Sequence, residues 1–264
     1  MDIRDIRLFL FDMDGTIYLG NRLFDFTKEL LSVIRSSGRQ YRFLTNNSSK
    51  GADAYVEKLT RLGISCTESD FVTSAHATIY YLKEKLPTAR LYLCGTRSLA
   101  SELSRAGFTV TDDPDGADAI LLGFDTELTF KKLEDICRIL SKKPDIPYIA
   151  THPDYVCPTE FGSVPDCGSV IDMLYNATKK RPVIIGKPEP LIVELARESL
   201  GIPAEQTAVV GDRLYTDIKC GLNAGAKAIL VLSGETTPEM LAQSDIKPDL
   251  VLESGVQILR ALKE

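Results

Sequence analysis

The sequence lacks the features that mark membrane, secreted and nucleic-acid-binding proteins. No apolar stretch approaches the roughly 18 residues that a helix needs to span a bilayer. The first residues, MDIRDIRLFLFDMDGT, mix acidic with basic side chains, and their short apolar run leads directly into acid, unlike a signal peptide. Lys and Arg number 31 against 37 Asp and Glu, and the net charge of −6 argues against a nucleic-acid-binding surface. Trp is absent, and 18 Gly and 13 Pro are too few for a fibrous or disordered chain.

The six cysteines show neither metal-binding nor redox spacing. None forms a CxxC pair, and the closest two, Cys157 and Cys167, stand ten positions apart. We interpret all six as reduced, mostly buried thiols rather than as disulfide partners. We therefore expect a cytoplasmic protein.

Short apolar runs alternate with amphipathic helical patterns along the chain. The runs that predict strands lie at 8–11, 42–44, 91–93, 119–122, 148–150, 183–185, 208–210 and 228–232. The patterns that predict helices lie at 27–36, 52–62, 77–86, 99–106, 133–140, 190–200, 217–224 and 238–242. This alternation predicts an α/β fold in which parallel strands are joined by right-handed helical crossovers.

The length of 264 residues suits one large domain or two smaller ones. The runs at 8–11, 42–44, 208–210 and 228–232 are strongly apolar, which is typical of strands buried on both faces of a parallel sheet. They are followed by Asp, Thr, Gly-Asp and Ser-Gly, respectively. The middle contains looser segments, TDDPDGADA and THPDYVCPTEFGSVPDCGS. We predict a core of residues 1–79 and 182–264 with residues 80–181 inserted as a second domain. One continuous sheet with a long loop is the alternative.

The strongest local signal is LFLFDMDGTIYLG at residues 8–20. Its apolar run leads directly into Asp12, Asp14 and Gly15, and ligands of open α/β sheets bind beyond the carboxyl ends of strands. Two carboxylates so close repel each other unless a cation holds them, and Mg²⁺ suits few carboxylates plus phosphate oxygens. An EF-hand calcium loop is excluded, because such a loop has Gly at its sixth position, whereas Gly15 is fourth when counted from Asp12. An acidic turn that only caps the strand stays an alternative.

A cluster of small polar residues follows the run YRFL. It comprises Thr45, Asn46, Asn47, Ser48 and Ser49, directly before a helical pattern. The free N–H groups of a helix N-terminus bind anions, so the segment suits a phosphate group. Helix capping by Ser48 or Ser49 is the alternative. The two are compatible, because one side chain can cap while Thr45 and Asn46 face a ligand.

Two further strand ends carry a cation and two acids. Lys187 follows an apolar run in IIGKPEP, and Asp212 follows the next run in TAVVGDRLYTD, with Asp217 five residues on. Lys187 would neutralise the acids or a phosphate, or it is a solvated lysine in a turn. Asp212 would complete the metal site, whereas Asp217 is otherwise an ordinary first-turn acid. A parallel sheet brings these ends to one edge, with the groups that phosphoryl transfer requires.

At these positions the sequence resembles the haloacid dehalogenase superfamily of phosphatases, within it the NagD-like, 4-nitrophenylphosphatase-type branch with a C2 cap. The segments DMDGTIYLG, TNNSS, GKP and GDRLYTDI occur in the family's order, and the resemblance covers essentially the whole chain. It implies an α/β fold with a Rossmann-like parallel sheet core and an inserted, smaller α/β cap of the C2 type at residues 80–181. It also implies a Mg²⁺-dependent phosphatase.

The resemblance implies a role for each motif. Asp12 would be the nucleophile that becomes an aspartyl-phosphate. Asp14 would be the general acid for the leaving oxygen and then the general base for water. Mg²⁺ would be bound by the Asp12 carboxylate, the Asp14 backbone carbonyl and Asp212.

The remaining motif residues would support this chemistry. Thr45 and Asn46 would hold the transferring phosphoryl group, and Lys187 would neutralise charge. Asp217 would orient the metal or Lys187. Because a carboxylate is a poor nucleophile toward an anion, the metal and the lysine must first cancel the repulsion of the phosphate.

The resemblance implies a small phosphomonoester substrate, such as a sugar phosphate or a nucleoside monophosphate, and a possible homodimer formed through the cap. We expect no nucleic-acid or membrane partner. Asn47 borders the phosphate segment, while His152, Asp154 and Ser169 lie in the irregular segment and are candidates to contact the leaving group. His152 is alternatively a structural or surface residue, and His76, on a helical pattern, is expected to be structural.

Three other functions are alternatives to the phosphatase. A true haloacid dehalogenase needs neither a metal nor an acid two residues after the nucleophile, so Asp14 and Asp212 argue against it. A receiver-type signalling module also phosphorylates an Asp with Mg²⁺, Thr and Lys nearby, but it lacks an insertion. A mutase or phosphotransferase on the same scaffold stays open.

Overall fold

A computed structural model describes residues 1–159 and 161–264 of the chain, which form strands and helices in alternation. The strands are β1 (Leu8–Phe11), β2 (Tyr18–Leu19), β3 (Arg22–Leu23), β4 (Gln40–Thr45), β5 (Phe71–Thr73), β6 (Arg90–Cys94), β7 (Thr109–Thr111), β8 (Ala119–Leu122), β9 (Tyr148–Ala150), β10 (Val156–Thr159), β11 (Gly162–Pro165), β12 (Val183–Ile184), β13 (Thr207–Gly211), β14 (Lys227–Val231) and β15 (Leu250–Leu252). The α-helices are α1 (Thr27–Ser36), α2 (Ala52–Arg61), α3 (Ser74–Lys85), α4 (Arg97–Arg105), α5 (Phe130–Lys142), α6 (Cys167–Thr178), α7 (Leu191–Glu198), α8 (Lys219–Asn223), α9 (Pro238–Gln243) and α10 (Val256–Lys263).

The chain divides into two units. The first consists of Met1–Thr45, Tyr55–Val72 and Lys187–Glu264, and the second of Asn46–Ala54 and Thr73–Gly186. The α/β class with parallel sheets is confirmed.

The first unit is built on a six-stranded sheet in the order β15-β14-β13-β1-β4-β5. Strand β1 pairs in parallel with β13 on one side and with β4 on the other, and all four of its residues are buried. Its uninterrupted LFLF run fits a strand that is covered on both faces. The register aligns Phe11 with Val210 and with Phe43. The residues that follow these strands therefore emerge at one edge of the sheet.

The second unit has its own five-stranded parallel sheet in the order β12-β9-β8-β6-β7. Strands β10 and β11 form a separate antiparallel hairpin. Helices α5 and α6 pack on the sheet through apolar side chains, so the unit has a core of its own. That core contains Tyr92, Ile120, Leu122, Ile136, Ile139, Val170, Ile171 and Leu174.

The second unit extends beyond residues 80–181 at both ends. Polar contacts within the unit explain why the segment after β4 belongs to it. The Ser74 hydroxyl donates to the carbonyl of Asn46, and the Thr96 hydroxyl donates to the carbonyl of Ser49 at 3.0 Å.

Each predicted strand and helix overlaps an observed one, whereas helices α6 and α10 and several short strands were not predicted. The segment that was expected to be irregular contains the β10–β11 hairpin and the start of α6, so that expectation was wrong there. The hairpin sequences VCPT and GSVP carry Pro and Gly and have weak strand propensity. No helix in the described ranges is both long and apolar enough to cross a bilayer.

Candidate active site

Three carboxylates meet at the carboxyl edge of the first unit's sheet. Asp12 directly follows β1, Asp212 directly follows β13, and Asp217 lies in the single π-helical turn Leu214–Ile218. The Asp12 N–H donates to the carbonyl of Val210 at 2.9 Å, which extends the β1–β13 pairing by one residue. One oxygen of each carboxylate lies within 4.8 Å of an oxygen of the other two, a separation that suits a shared metal ion.

Lys187 joins two of these acids. Its Nζ donates to Oδ1 of Asp12 and to Oδ1 of Asp217, at 2.6 Å in each case. Burial opposes the charge of this ammonium, but the two carboxylates outweigh it and raise the pKa of Lys187 above its usual value. With 3% exposure, Lys187 is not a solvated surface lysine.

Asp12 and Asp212 are held in surroundings that disfavour their ionised forms. Burial raises the pKa of Asp12 to about 6, with Lys187 opposing and Asp217 adding to the shift. Burial and the charges of Asp12 and Asp217 raise the pKa of Asp212 to about 8. Because a bound dication would favour the ionised carboxylates, these shifts mark a place that suits a cation.

The two oxygens of Asp212 have different surroundings. Oδ2 accepts a hydrogen bond from the Glu235 N–H at 2.7 Å, whereas the buried Oδ1 has no hydrogen-bond partner in the described structure. A buried carboxylate oxygen without a donor is costly unless a cation or water meets it. Oδ1 is therefore the atom of Asp212 best suited to a metal ion.

Two glycines make room for the Asp212 carboxylate. Gly15 has φ +82°, a conformation that L side chains rarely adopt, and a Cβ there would collide with Oδ2 of Asp212. A Cβ on Gly234 would collide with the same oxygen. The Ser233 hydroxyl donates to the Gly15 carbonyl at 2.7 Å and fixes the turn after β1.

Asp14 lies outside the carboxylate cluster. Its backbone forms an isolated bridge with Tyr18, and its Oδ1 accepts from the Gly20 N–H at 3.4 Å. The side chain is half-buried. This placement keeps the Asp14 carboxyl apart from the carboxylates of Asp12, Asp212 and Asp217.

The polar segment after β4 is held by its own side chains. Thr45 is the buried last residue of β4. In the second unit, Asn46 donates from Nδ2 to both carboxylate oxygens of Asp154, at 3.2 and 3.3 Å. Asn47 Oδ1 accepts from the N–H of Ser49 at 2.9 Å and from its hydroxyl at 2.7 Å, so the Asn47 carbonyl closes a local turn.

The candidate residues of the irregular segment are engaged within the second unit. His152 is completely buried and faces Asp154 and Asp166, which rules out the surface alternative. Ser169 donates its hydroxyl to the carbonyl of Tyr155 at 2.6 Å and so ties α6 to the hairpin.

An ion pair that the sequence patterns did not predict lies beside the cluster. Arg213 Nε lies 2.9 Å from Glu235 Oε2, and the Arg213 N–H donates to Oδ2 of Asp217 at 3.2 Å. Burial opposes the charge of Arg213, but Asp12 and Glu235 raise its pKa above the usual value. Glu235 comes shortly after β14, so the strand-end argument applied to that strand would have found it.

Comparisons with known proteins find matches over most of the chain. A family model described as haloacid dehalogenase-like hydrolase matches residues 9–109, and one described as HAD-hydrolase-like matches residues 184–257. An acid sugar phosphatase of Staphylococcus aureus is 33% identical over 246 residues, which are 93% of this chain and 94% of that protein.

Solved structures of similar proteins cover nearly the whole chain. A 4-nitrophenylphosphatase from Thermotoga maritima is 41% identical, with a TM-score of 0.93 and 98% of both chains covered. A glycerol phosphate phosphatase from Mycobacterium tuberculosis, in complex with calcium, is 30% identical, with a TM-score of 0.88, covering 98% of this chain and 75% of that one.

Proposed function

The chain belongs to the haloacid dehalogenase-like hydrolases and is a phosphoric monoester hydrolase of the NagD and 4-nitrophenylphosphatase type, and we propose that it hydrolyses small phosphomonoesters with Mg²⁺ through an aspartyl-phosphate. The observation that carries the proposal is the contact of Asp12 with Lys187 inside a cluster of acids.

The geometry supports Asp12 as the nucleophile. In the first step, an Asp12 oxygen attacks phosphorus and the bond from phosphorus to the ester oxygen breaks. Asp14 gives its proton to the departing alcohol oxygen. Lys187, buried and cationic, offsets the charge of the incoming phosphate and orients the carboxylate.

The second step restores the enzyme. Asp14, now ionised, takes a proton from water while the water oxygen attacks phosphorus of the aspartyl-phosphate. The bond between phosphorus and the Asp12 oxygen breaks, so inorganic phosphate leaves and the Asp12 carboxylate returns. Thr45 and Asn46 are the proposed donors to the phosphoryl oxygens.

The carboxylates of Asp12 and Asp212 and the backbone carbonyl of Asp14 would hold Mg²⁺. The unpartnered Oδ1 of Asp212 and the all-oxygen donor set fit this ion. When bound, the ion would supply positive charge against the phosphate. Asp217 would act indirectly, because its oxygens accept from Lys187 and from the Arg213 N–H.

We assign substrate choice to the second unit, as a cap of the C2 type. The relatives' names include sugar phosphate and glycerol phosphate phosphatases, which favours small polar esters as substrates. The residues of the second unit that we propose to contact the leaving group are Asn47, Asp154 and Ser169. The free cysteines fit a reducing compartment, so we also assign the protein to the cytoplasm. A homodimer stays a prediction, which sedimentation analysis would test.

The proposal is tested by metabolite hydrolysis and by trapping the intermediate. We expect Mg²⁺-dependent release of phosphate from a panel of phosphomonoesters and reversible loss in EDTA. Mass spectrometry of quenched enzyme should find a phosphoryl group on Asp12. Asp12→Asn should abolish both signals, and Asp25→Asn, at an exposed acid, should not.

Two results would contradict the proposal: full turnover of 4-nitrophenyl phosphate after metal removal, or turnover by Asp12→Asn. Adding alcohol acceptors tests the phosphotransferase alternative. If the protein is a phosphotransferase, the fraction of phosphoryl groups transferred to the alcohol should exceed the mole fraction of the alcohol in the solvent.

A further inference from the structure

The second unit contains a buried cluster of ionisable side chains that is separate from the catalytic carboxylates. His152, Asp154 and Asp166 offer ring nitrogen and carboxylate oxygen atoms within 4.8 Å of one another. The side chains are 0%, 11% and 5% exposed, respectively. Such burial is unusual for ionisable groups unless they are paired or bind an ion.

The imidazole of His152 is the unusual member of this cluster. Neither Nδ1 nor Nε2 has a hydrogen-bond partner in the described structure. Nδ1 lies 3.7 Å from Oδ2 of Asp154, and Nε2 lies 3.6 Å from Oδ1 of Asp166. Hydrogen bonds of this kind are about 2.7–3.2 Å long. The ring therefore faces two carboxylates without bonding to either.

Both carboxylates are oriented by neutral donors. Asp154 accepts from the Asn46 amide, and Asp166 accepts from the N–H of Cys167 at the start of α6. The two carboxylates carry two negative charges into the cluster when both are ionised. A dication would match that charge, and the oriented oxygens need little rearrangement to bind it.

We propose that His152, Asp154 and Asp166 bind a divalent transition-metal ion of the zinc class. Imidazole nitrogen with carboxylate oxygen suits such ions, whereas Mg²⁺ prefers oxygen alone. Ligand atoms about 2.0–2.2 Å from a tetrahedral ion lie about 3.3–3.6 Å apart, so the three ligand atoms, now within 4.8 Å of one another, would move closer when the ion binds. One ring nitrogen binds the ion together with one oxygen of each carboxylate, because one such atom from each residue lies within 4.8 Å of the others.

The bound ion would join two parts of the second unit. His152 and Asp154 follow β9, and Asp166 is the residue before α6. An ion between them fixes the start of α6 against this loop and holds Asp154 where it accepts from Asn46. Its donor set includes an imidazole and so differs from that of the catalytic cluster, whose side-chain donors are all carboxylates.

Zinc binding by variants of the two histidines tests the proposal. Untagged protein is stripped with chelator and titrated with Zn²⁺ in excess Mg²⁺, and bound zinc is measured after equilibrium dialysis. We expect the wild type to bind one Zn²⁺ per chain. His76→Asn is the matched control and should bind equally, as should Asp12→Asn. His152→Asn should bind at least about tenfold more weakly.

A measurement on the wild type decides the matter even if His152→Asn fails to fold. The sequence has two histidines, so ¹⁵N-labelled imidazole signals are assigned with the His76→Asn variant. Zn²⁺ should move the His152 ring signals and leave those of His76 in place. Unmoved His152 signals at saturating Zn²⁺, no bound zinc, or equal affinity in a folded His152→Asn would each overturn the proposal.

Discussion

Nζ of Lys187 lies 2.6 Å from Oδ1 of Asp12, although 175 positions separate the two residues in the chain. The same ammonium lies equally close to Asp217. One buried cation thus orients the proposed nucleophile and is itself held by a second acid.

Replacing Lys187 should impair both catalysis and folding. Lys187→Met leaves the buried Asp217 and the partly buried Asp12 without their cation, so the free energy of unfolding should fall by about 3–5 kcal/mol. Loss of a charge that stabilises the transition state should lower kcat/KM by about 10²–10³. Urea unfolding and 4-nitrophenyl phosphate assays measure these effects, and Lys28→Met, at an exposed lysine, is the control. Undiminished kcat/KM in Lys187→Met would refute the assignment.

Replacing Asp14 should matter most for poor leaving groups. An alkoxide needs a proton to depart, whereas 4-nitrophenolate does not, so Asp14→Asn should slow the first chemical step more for sugar phosphates. General acid catalysis contributes about 10²–10⁴ in rate. Single-turnover measurements on both substrates check the difference. Equal losses would argue that Asp14 does not protonate the leaving oxygen.

Metal binding should stabilise the protein more at high than at low pH. The raised pKa values of Asp12 and Asp212, about 6 and about 8, mean that the metal-free folded state binds protons that the unfolded state releases near pH 4. The contribution of both groups to stability therefore falls as pH rises from about 4 to 8. A dication needs the ionised forms, so it competes with protons at low pH.

Thermal melting with and without MgCl₂ measures this dependence. The Mg²⁺-induced rise in Tm should be larger at pH 8 than at pH 5. Asp212→Asn lacks one titrating group and one ligand, so its Mg²⁺ shift should be small at both pH values. A wild-type shift that does not change with pH would contradict the assignment of these carboxylates.

Variants of two glycines allow the effect of backbone strain to be distinguished from the effect of a collision at the proposed metal site. Gly15 and Gly20 both have positive φ, +82° and +58°, but a Cβ on Gly20 would meet nothing within 4 Å. Both Ala variants should lose about 1–2 kcal/mol of stability. Only Gly15→Ala should also displace Asp212, so it alone should weaken Mg²⁺ activation. Magnesium titration of activity distinguishes the two variants, and equal Mg²⁺ dependence would contradict this reasoning.

The parts of the site that follow buried strands were predictable from the sequence. Asp12, Thr45 and Asp212 each terminate an apolar run, and parallel pairing brings such ends together. The family resemblance is confirmed by the relatives. The contact between Lys187 and Asp217 was one of two alternatives for Asp217, and only the fold distinguishes them.

Other features depend on packing that no local pattern records. His152 occurs in a polar, Pro-containing segment that reads as a loop, yet it is completely buried, because Asp166 and Asp154 provide a polar interior for it. Helix α6 begins with Cys, Gly and Ser, which are poor helix formers, and Asp166 caps it by accepting from the first helical N–H. These stabilising contacts come from the tertiary structure or from the cap of the helix, so a search for periodicity in the sequence does not find them.

The pairing of β1 with β13 also sets the order in which a newly made chain can assemble its catalytic centre. Leu8 pairs with Thr207, so one neighbour of β1 leaves the ribosome about 200 residues after it. At 5–20 residues per second this interval is roughly 10–40 s. During that time the apolar LFLF strand has an open edge, the kind of segment that chaperones cover. Binding of chaperones to nascent chains should therefore persist until β13 has emerged, and only then can Asp12 meet Asp212.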